Sequence, residues 1–118
     1  MKTLVLGASE NKQRYSNIAI NMLKEYQHEV VAIGSREGEV GGVKFDKEKK
    51  DFKDVDTVTL YLGPQNQASF RKYIDSLRPR RVIFNPGTEN PEWMKHLQEK
   101  GIATEVACTL VLLRTHQY

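Results

Sequence analysis

The chain of 118 residues has a single cysteine, Cys108. That scarcity excludes an internal disulfide and a cysteine-based metal cluster, and it suits a reducing compartment. Long apolar runs are missing too. No stretch approaches the roughly 20 residues needed to span a bilayer, so no membrane association is expected. Met1-Lys2 leads directly into a strand-like segment and a glycine loop, without the apolar region and small-residue cleavage site of a signal peptide. A cytoplasmic location is the expectation. Nor does one charge dominate: 18 Lys and Arg against 15 Asp and Glu leave +3. A nucleic-acid surface calls for a concentrated basic face, whereas a mild positive balance fits a small anionic ligand. Two phosphate-binding motifs are also absent. After Gly7 the next glycine is Gly34, so there is no GxGxxG, and no Gly-Lys-Ser or Gly-Lys-Thr occurs to make a Walker A loop.

What is present is ordinary for a globular protein: 39% hydrophobic and 28% charged residues, with one Trp, five Tyr and four Phe to anchor a core. The length suits one domain, residues 1–118, because two separate cores would each be too small. Apolar, β-branched runs at Thr3–Leu6, Val30–Ile33, Val58–Leu62, Arg81–Phe84 and Ile102–Ala107 predict five strands. Between them lie helical stripes. Ile18, Met22, Leu23 and Tyr26 form the first, and Phe70, Tyr73, Ile74 and Leu77 the second, with Pro79 just beyond its end. Asn90-Pro91-Glu92 spells a helix start, with a capping amide, a proline at the first position and an acid in the positive first turn. Trp93, Met94 and Leu97 face that helix inward, and Gly101 ends it. Thr109–Arg114 fits helix or strand by pattern alone, with a last helix favoured. Gly38–Asp54 breaks the rhythm, and nine of the eleven residues Lys44–Asp54 are charged with both signs mixed, so a solvated loop holding one short edge strand is expected. Apolar strands alternating with amphipathic helices predict an α/β fold, a Rossmann-like, doubly wound parallel five-stranded sheet with helices on both faces.

In such a sheet a ligand sits outside the carboxyl ends of the strands, where strand order reverses. The loops at that edge supply the candidate site: Gly7, Ala8, Ser9, Arg14 and Ser16; Gly34, Ser35 and Arg36; Leu62, Gly63 and Pro64; Asn85, Gly87, Thr88 and Asn90. Gly7 permits a tight turn and close backbone approach to a phosphate, which the next helix N-terminus stabilises, or it makes only the strand-to-helix turn. Arg14 offers a planar fork for phosphate oxygens. Asn90 reads as a helix cap, a ligand contact, or both. The end of the second strand separates nucleotide classes. An NAD site places an acid there for the ribose hydroxyl, whereas Gly34-Ser35-Arg36 suits an adenosine bearing a ribose phosphate, as in coenzyme A or NADP.

The run Val5-Leu6-Gly7-Ala8-Ser9 with Arg14 and Ser16, Val55-Asp56-Thr57-Val58, Leu62-Gly63-Pro64 and Asn85–Glu92 resembles the stand-alone CoA-binding domain family, itself similar to the nucleotide-binding domain of the succinyl-CoA synthetase alpha subunit. Cys108 also stands where such domains often have a cysteine. The resemblance implies that the ligand is coenzyme A. Differences from the family's usual pattern are Glu10, Lys12 and Tyr15 in a loop that usually has prolines, Gly34-Ser35 for an Asn-Pro pair, and Asn85 for Gln.

No catalytic residue is expected. His28 falls in the turn before the second strand, away from the ligand edge, His96 lies within a helix and His116 in the tail. No histidine or acid is placed to activate Cys108. Glu89 is the one carboxylate at the ligand edge. The reading is a binding module for a small-molecule nucleotide cofactor, coenzyme A first and NADP second, with an NADP-dependent reductase as the competing class.

Overall fold

The computed structural model describes residues 1–118. Five parallel strands, β1 (Lys2–Ala8), β2 (Glu29–Gly34), β5 (Val55–Leu60), β6 (Arg81–Phe84) and β7 (Ala103–Val106), form one sheet in the order β2-β1-β5-β6-β7. The chain runs outward from β1 to β2, then returns past β1 and continues through β5, β6 and β7. The order therefore reverses between β1 and β5. Helices α1 (Tyr15–Glu25) and α4 (Thr109–Arg114) pack on one another over one face, and α2 (Arg71–Leu77) and α3 (Pro91–Glu99) cover the other. The sheet thus has two apolar layers. Leu4, Leu6, Val58, Leu60, Val82 and Phe84 meet Ile74, Trp93 and Leu97 on one side, while Val5 and Ala32 meet Ile20, Leu23 and Leu113 on the other. Strands buried on both faces are apolar throughout rather than alternating, which is why the sequence shows runs. No helix is long and apolar enough to cross a membrane.

Local structure departs from the sequence reading at several points. The third strand of the sheet begins at Val55, not Val58, and ends at Leu60, so Tyr61 and Leu62 belong to the ligand-edge loop. The last strand is shorter at both ends than Ile102–Ala107. The Gly38–Asp54 stretch holds two short strands instead of one, β3 (Gly38–Val40) and β4 (Val43–Phe45), paired as an antiparallel hairpin through Gly41 and Gly42 in left-handed conformations. Its Val40, Val43 and Phe45 are buried beside β2, and the Gly34 N–H donates to the Asp46 carbonyl at 3.0 Å, so the hairpin covers that sheet edge. The charged composition hid three apolar residues spaced to face one way. On α1 the buried face is Ser16, Asn17, Ala19, Ile20 and Leu23, while Ile18 and Met22 are half-buried and Tyr26 caps the helix in solvent. Apolar residues occupy two sides of this helix, and hydrophobicity alone could not choose between them. Met94 is likewise only half-buried, beside the fully buried Trp93 and Leu97 of α3. Phe70, assigned by spacing to the second helix, sits in a 3-10 turn (Ala68–Phe70) before it.

The edge of the sheet opposite the ligand loops carries a polar cluster. Arg81, buried, pairs with Glu105 at 3.2 Å and lies 4.6 Å from the centre of the Tyr118 ring. The Tyr118 hydroxyl bonds Thr3, and its ring packs 4.8 Å from the His28 imidazole. Burial first, then the Met1 amino group and the Arg81 guanidinium, lower the His28 pKa below its ordinary 6.5. A depressed folded-state value means that the unfolded chain binds the proton more readily. His28 therefore contributes stability that is fully present above pH 6.5 and is lost as the pH falls through its folded-state pKa. Asp56, held below its ordinary 3.8 by Arg80, acts in a separate window, its contribution disappearing only below that value. The expected result is a thermal midpoint that falls between pH 7.5 and pH 5, and falls less in a His28→Gln protein. Identical profiles for the two proteins would remove His28 as the cause.

Candidate functional site

The crevice predicted by the strand order is a groove of about 360 Å³ at the carboxyl ends of β1, β5 and β6. Of the residues singled out from sequence, Gly7, Ala8, Ser9, Arg14, Ser16, Ser35, Leu62, Gly63, Gly87 and Thr88 line it. Beside it lies a second hollow of about 320 Å³, which shares Ala8, Ser9, Arg14 and Ser35 and adds Arg36. The two make one depression running from the end of β2 to the loop after β6. Sequence reasoning missed Tyr15, Tyr61 and Pro86 on the first part and Glu10, Asn11, Glu37 and Phe45 on the second. Pro86 stands within Asn85–Glu92 and Tyr61 within an apolar run that reads as a strand. Glu10 and Tyr15 stand out only as departures from the family's proline-containing loop, and Asn11, Glu37 and Phe45 carry no signal of their own.

The β1–α1 loop is organised by its own side chains. The Asn11 N–H donates to Ser9 Oγ at 3.1 Å, the Gln13 N–H donates to Asn11 Oδ1 at 3.0 Å, and Asn17 Nδ2 donates to the Ser9 carbonyl at 3.0 Å. Glu10 ties the loop to the hairpin by accepting from the Glu39 N–H at 3.0 Å. This loop delivers α1 with no side-chain cap and no acid in its first turn. The N–H groups of Ser9, Tyr15 and Ser16 find no acceptor in the protein. Unfilled donors at the positive end of an eleven-residue helix attract an anion. Arg14 and Arg36 stand free of ion pairs, unlike Arg71, Arg80 and Arg81, which are held by Glu92, Asp56 and Glu105.

Four of the sequence candidates do not line either hollow. Gly34 is buried, and a Cβ there would lie 2.5 Å from the Ala8 carbonyl oxygen and 2.9 Å from the Phe45 ring, so this position lets β1 and the hairpin close on β2. Asn85 is buried, with Nδ2 donating to Thr59 Oγ1 at 2.7 Å and to the Leu60 carbonyl at 2.8 Å, while Oδ1 accepts from the Thr109 N–H at 2.8 Å. Asn90 caps α3, Oδ1 accepting from the Trp93 N–H at 3.2 Å, and its Nδ2 donates to Gln67 Oε1 at 2.9 Å. Pro64 is exposed and starts a 3-10 turn. Gln67, fully buried, donates 2.8 Å bonds to the carbonyls of both Leu62 and Thr88, pinning two walls of the groove together. No sequence pattern marked it, because its partners are backbone atoms of distant loops.

Tyr61 packs its ring under the groove floor, where burial pushes the phenol pKa up to about 12 despite the nearby Thr59 and Thr109 hydroxyls. It is therefore a neutral group and no proton acceptor near neutral pH. No group of three or more His, Cys, Asp or Glu side chains converges to hold a metal. His28 and His96 lie away from the groove, and His96 is held at 2.9 Å by Asp75.

A five-stranded parallel sheet wound on both faces, with an open polar depression at its reversal point, places the chain among Rossmann-like α/β domains. Within that class it belongs to the CoA binding domain family, whose profile matches residues 1–114. Among solved structures it is similar to an uncharacterized protein at 48% identity, covering 99% of this chain and 97% of that one with a TM-score of 0.97. A hypothetical protein from Pyrococcus horikoshii OT3 is 26% identical over 98% of this chain and 80% of that one, TM-score 0.82. A conserved hypothetical protein from Pyrococcus furiosus is also 26% identical, over 88% and 90%, TM-score 0.77. Among curated proteins none matches the sequence.

Proposed function

We propose that this chain is one small domain that binds coenzyme A or an acyl-CoA and carries out no catalysis of its own. The observation that carries the reading is the unfilled anion cradle: free N–H groups at Ser9, Tyr15 and Ser16 beside the unpaired Arg14, all at the reversal point of the sheet. These groups would hold the pyrophosphate, which is the chemistry such donors are suited to. Ser35 and the unpaired Arg36, across the shared wall, would take the ribose end with its 3′-phosphate. The groove walls formed by Gly63 and Gly87 leave a passage for the rest of the ligand. Membership of the CoA binding domain family supports the same ligand.

The test is a thermal-shift panel of coenzyme A, acetyl-CoA, NADP, NAD and ATP, followed by calorimetry. A specific binder raises the midpoint by mass action, and coenzyme A and its thioester are expected to give the largest rise. Dephospho-CoA, lacking only the 3′-phosphate, should bind about three- to tenfold more weakly, the range for a charge-assisted contact on an exposed arginine. In Arg36→Ala that gap should close. Equal affinity for the two ligands in the wild type would remove Arg36 from the site, and tight NADP binding without coenzyme A binding would overturn the assignment.

A further inference from the structure

Arg14 is the only charged residue lining the main groove, whereas in the second hollow Arg14 and Arg36 stand with Glu10, whose carboxylate accepts from the Glu39 N–H, and with Glu37. At the other end, on the loop after β6, the Glu89 carboxylate accepts a 2.7 Å hydrogen bond from the Gly87 N–H, in an exposed position. Gly87 lines the groove at φ +91°, and a Cβ there would meet nothing within 4 Å, so the space in front of it is open. No cation offsets this carboxylate: Arg71, on the neighbouring helix α2, is spent on Glu92 at 2.8 Å.

Resting on the coenzyme A reading above, we propose that Glu89 is a specificity-determining residue that selects uncharged acyl groups and rejects acyl groups bearing a carboxylate. All the phosphate charge of coenzyme A is at its nucleotide end, so the free N–H groups of Ser9, Tyr15 and Ser16 with Arg14 hold that end at the β1–α1 loop. The thiol-bearing arm then runs the other way, over Gly63 toward Gly87. The loop after β6 lies two strand spacings from the β1 loop, about 10 Å, within reach of the arm. A thioester carbonyl that reaches Gly87 finds its N–H already taken, and an acyl carboxylate meets a like charge.

Calorimetry with coenzyme A, acetyl-CoA and succinyl-CoA on the wild type and on Glu89→Gln tests this. Gln keeps an acceptor for the Gly87 N–H and removes only the charge, and matching thermal midpoints show that the loop is intact. The wild type should bind acetyl-CoA about fivefold more tightly than succinyl-CoA at low salt, the scale of an exposed charge pair, with the ratio shrinking as salt is added. In Glu89→Gln the ratio should fall to about one, with acetyl-CoA affinity unchanged. Equal affinities in the wild type, or a preference that survives in Glu89→Gln, would overturn the proposal. Binding of none of the three ligands would overturn the coenzyme A reading, and this inference with it.

Discussion

Gly7→Val is expected to lose ligand binding altogether and to lower the stability of the fold by about 3 kcal/mol. Two costs combine at this residue. Its φ of +103° is a conformation that a side chain pays about 1–3 kcal/mol to adopt. A Cβ would also lie 2.9 Å from the Tyr61 carbonyl oxygen and 3.2 Å from the Tyr61 Cβ, so the end of β1 and the start of the β5 loop must part. The Tyr61 N–H donates to the Leu6 carbonyl at 2.8 Å, and that bond lies in the path of the separation. The sequence alone suggested that the glycine clears a path for phosphate. The packing adds that it lets the two central strands converge beneath the groove. Gly7→Ala separates the roles, since it has the same backbone strain and the same Cβ but little bulk toward the ligand. Urea denaturation should show most of the stability loss already in Ala, with the β-branched methyls of Val adding the remainder. A Gly7→Val protein with wild-type affinity and midpoint would refute both roles.

Asn85→Ala should cost about 3–4 kcal/mol and lower the thermal midpoint by more than about 10 °C. The amide ties the loop after β6 to β5 through Thr59 and Leu60 and to α4 through the Thr109 N–H. Thr59 and Thr109 also bond each other at 2.7 Å in the same buried pocket. Removing the side chain strands a buried N–H at Thr109 and a donor-hungry hydroxyl at Thr59, each costing about 1–3 kcal/mol. Asn85→Asp keeps the acceptor for Thr109 but loses both donors and buries a charge, so it should be no better than Ala. Asn85→Gln, the residue usual in the family, should retain more stability than either. A midpoint unchanged in Asn85→Ala would mean that water or a rotated threonine replaces the amide, and the network would not hold α4.

Much of the sheet was legible because strands buried on both faces must be apolar, and the runs in β1, β2 and β6 say so directly. The caps of α3 were legible for the same kind of reason: Asn90, Pro91 and Glu92 satisfy needs local to one helical turn. The hairpin was not, because Val40, Val43 and Phe45 are scattered among charges, and only the edge of β2 gives them something to cover. The buried side of α1 was misread for a related cause. The helix presents two apolar sides, and the small Ser16 and Ala19, which sequence patterns pass over, lie against the rest of the domain.

The amino-acid sequence by itself determined that this protein would form a parallel α/β sheet with its polar loops gathered at one edge, since alternating apolar runs and amphipathic stripes admit few other arrangements. It also marked most of the groove, because the residues after each strand must meet there. Only the tertiary structure decided which of those residues face the groove and which hold it up. Asn85, Asn90 and Gly34 stand at that edge but line neither hollow. Their amide atoms and missing Cβ are taken up by Thr59, Thr109, Trp93, Gln67, Ala8 and Phe45, partners as many as 26 residues away along the chain. A buried polar group must be satisfied by whatever the fold brings beside it, and that neighbour is a property of the packed chain, not of the loop in which the residue is written.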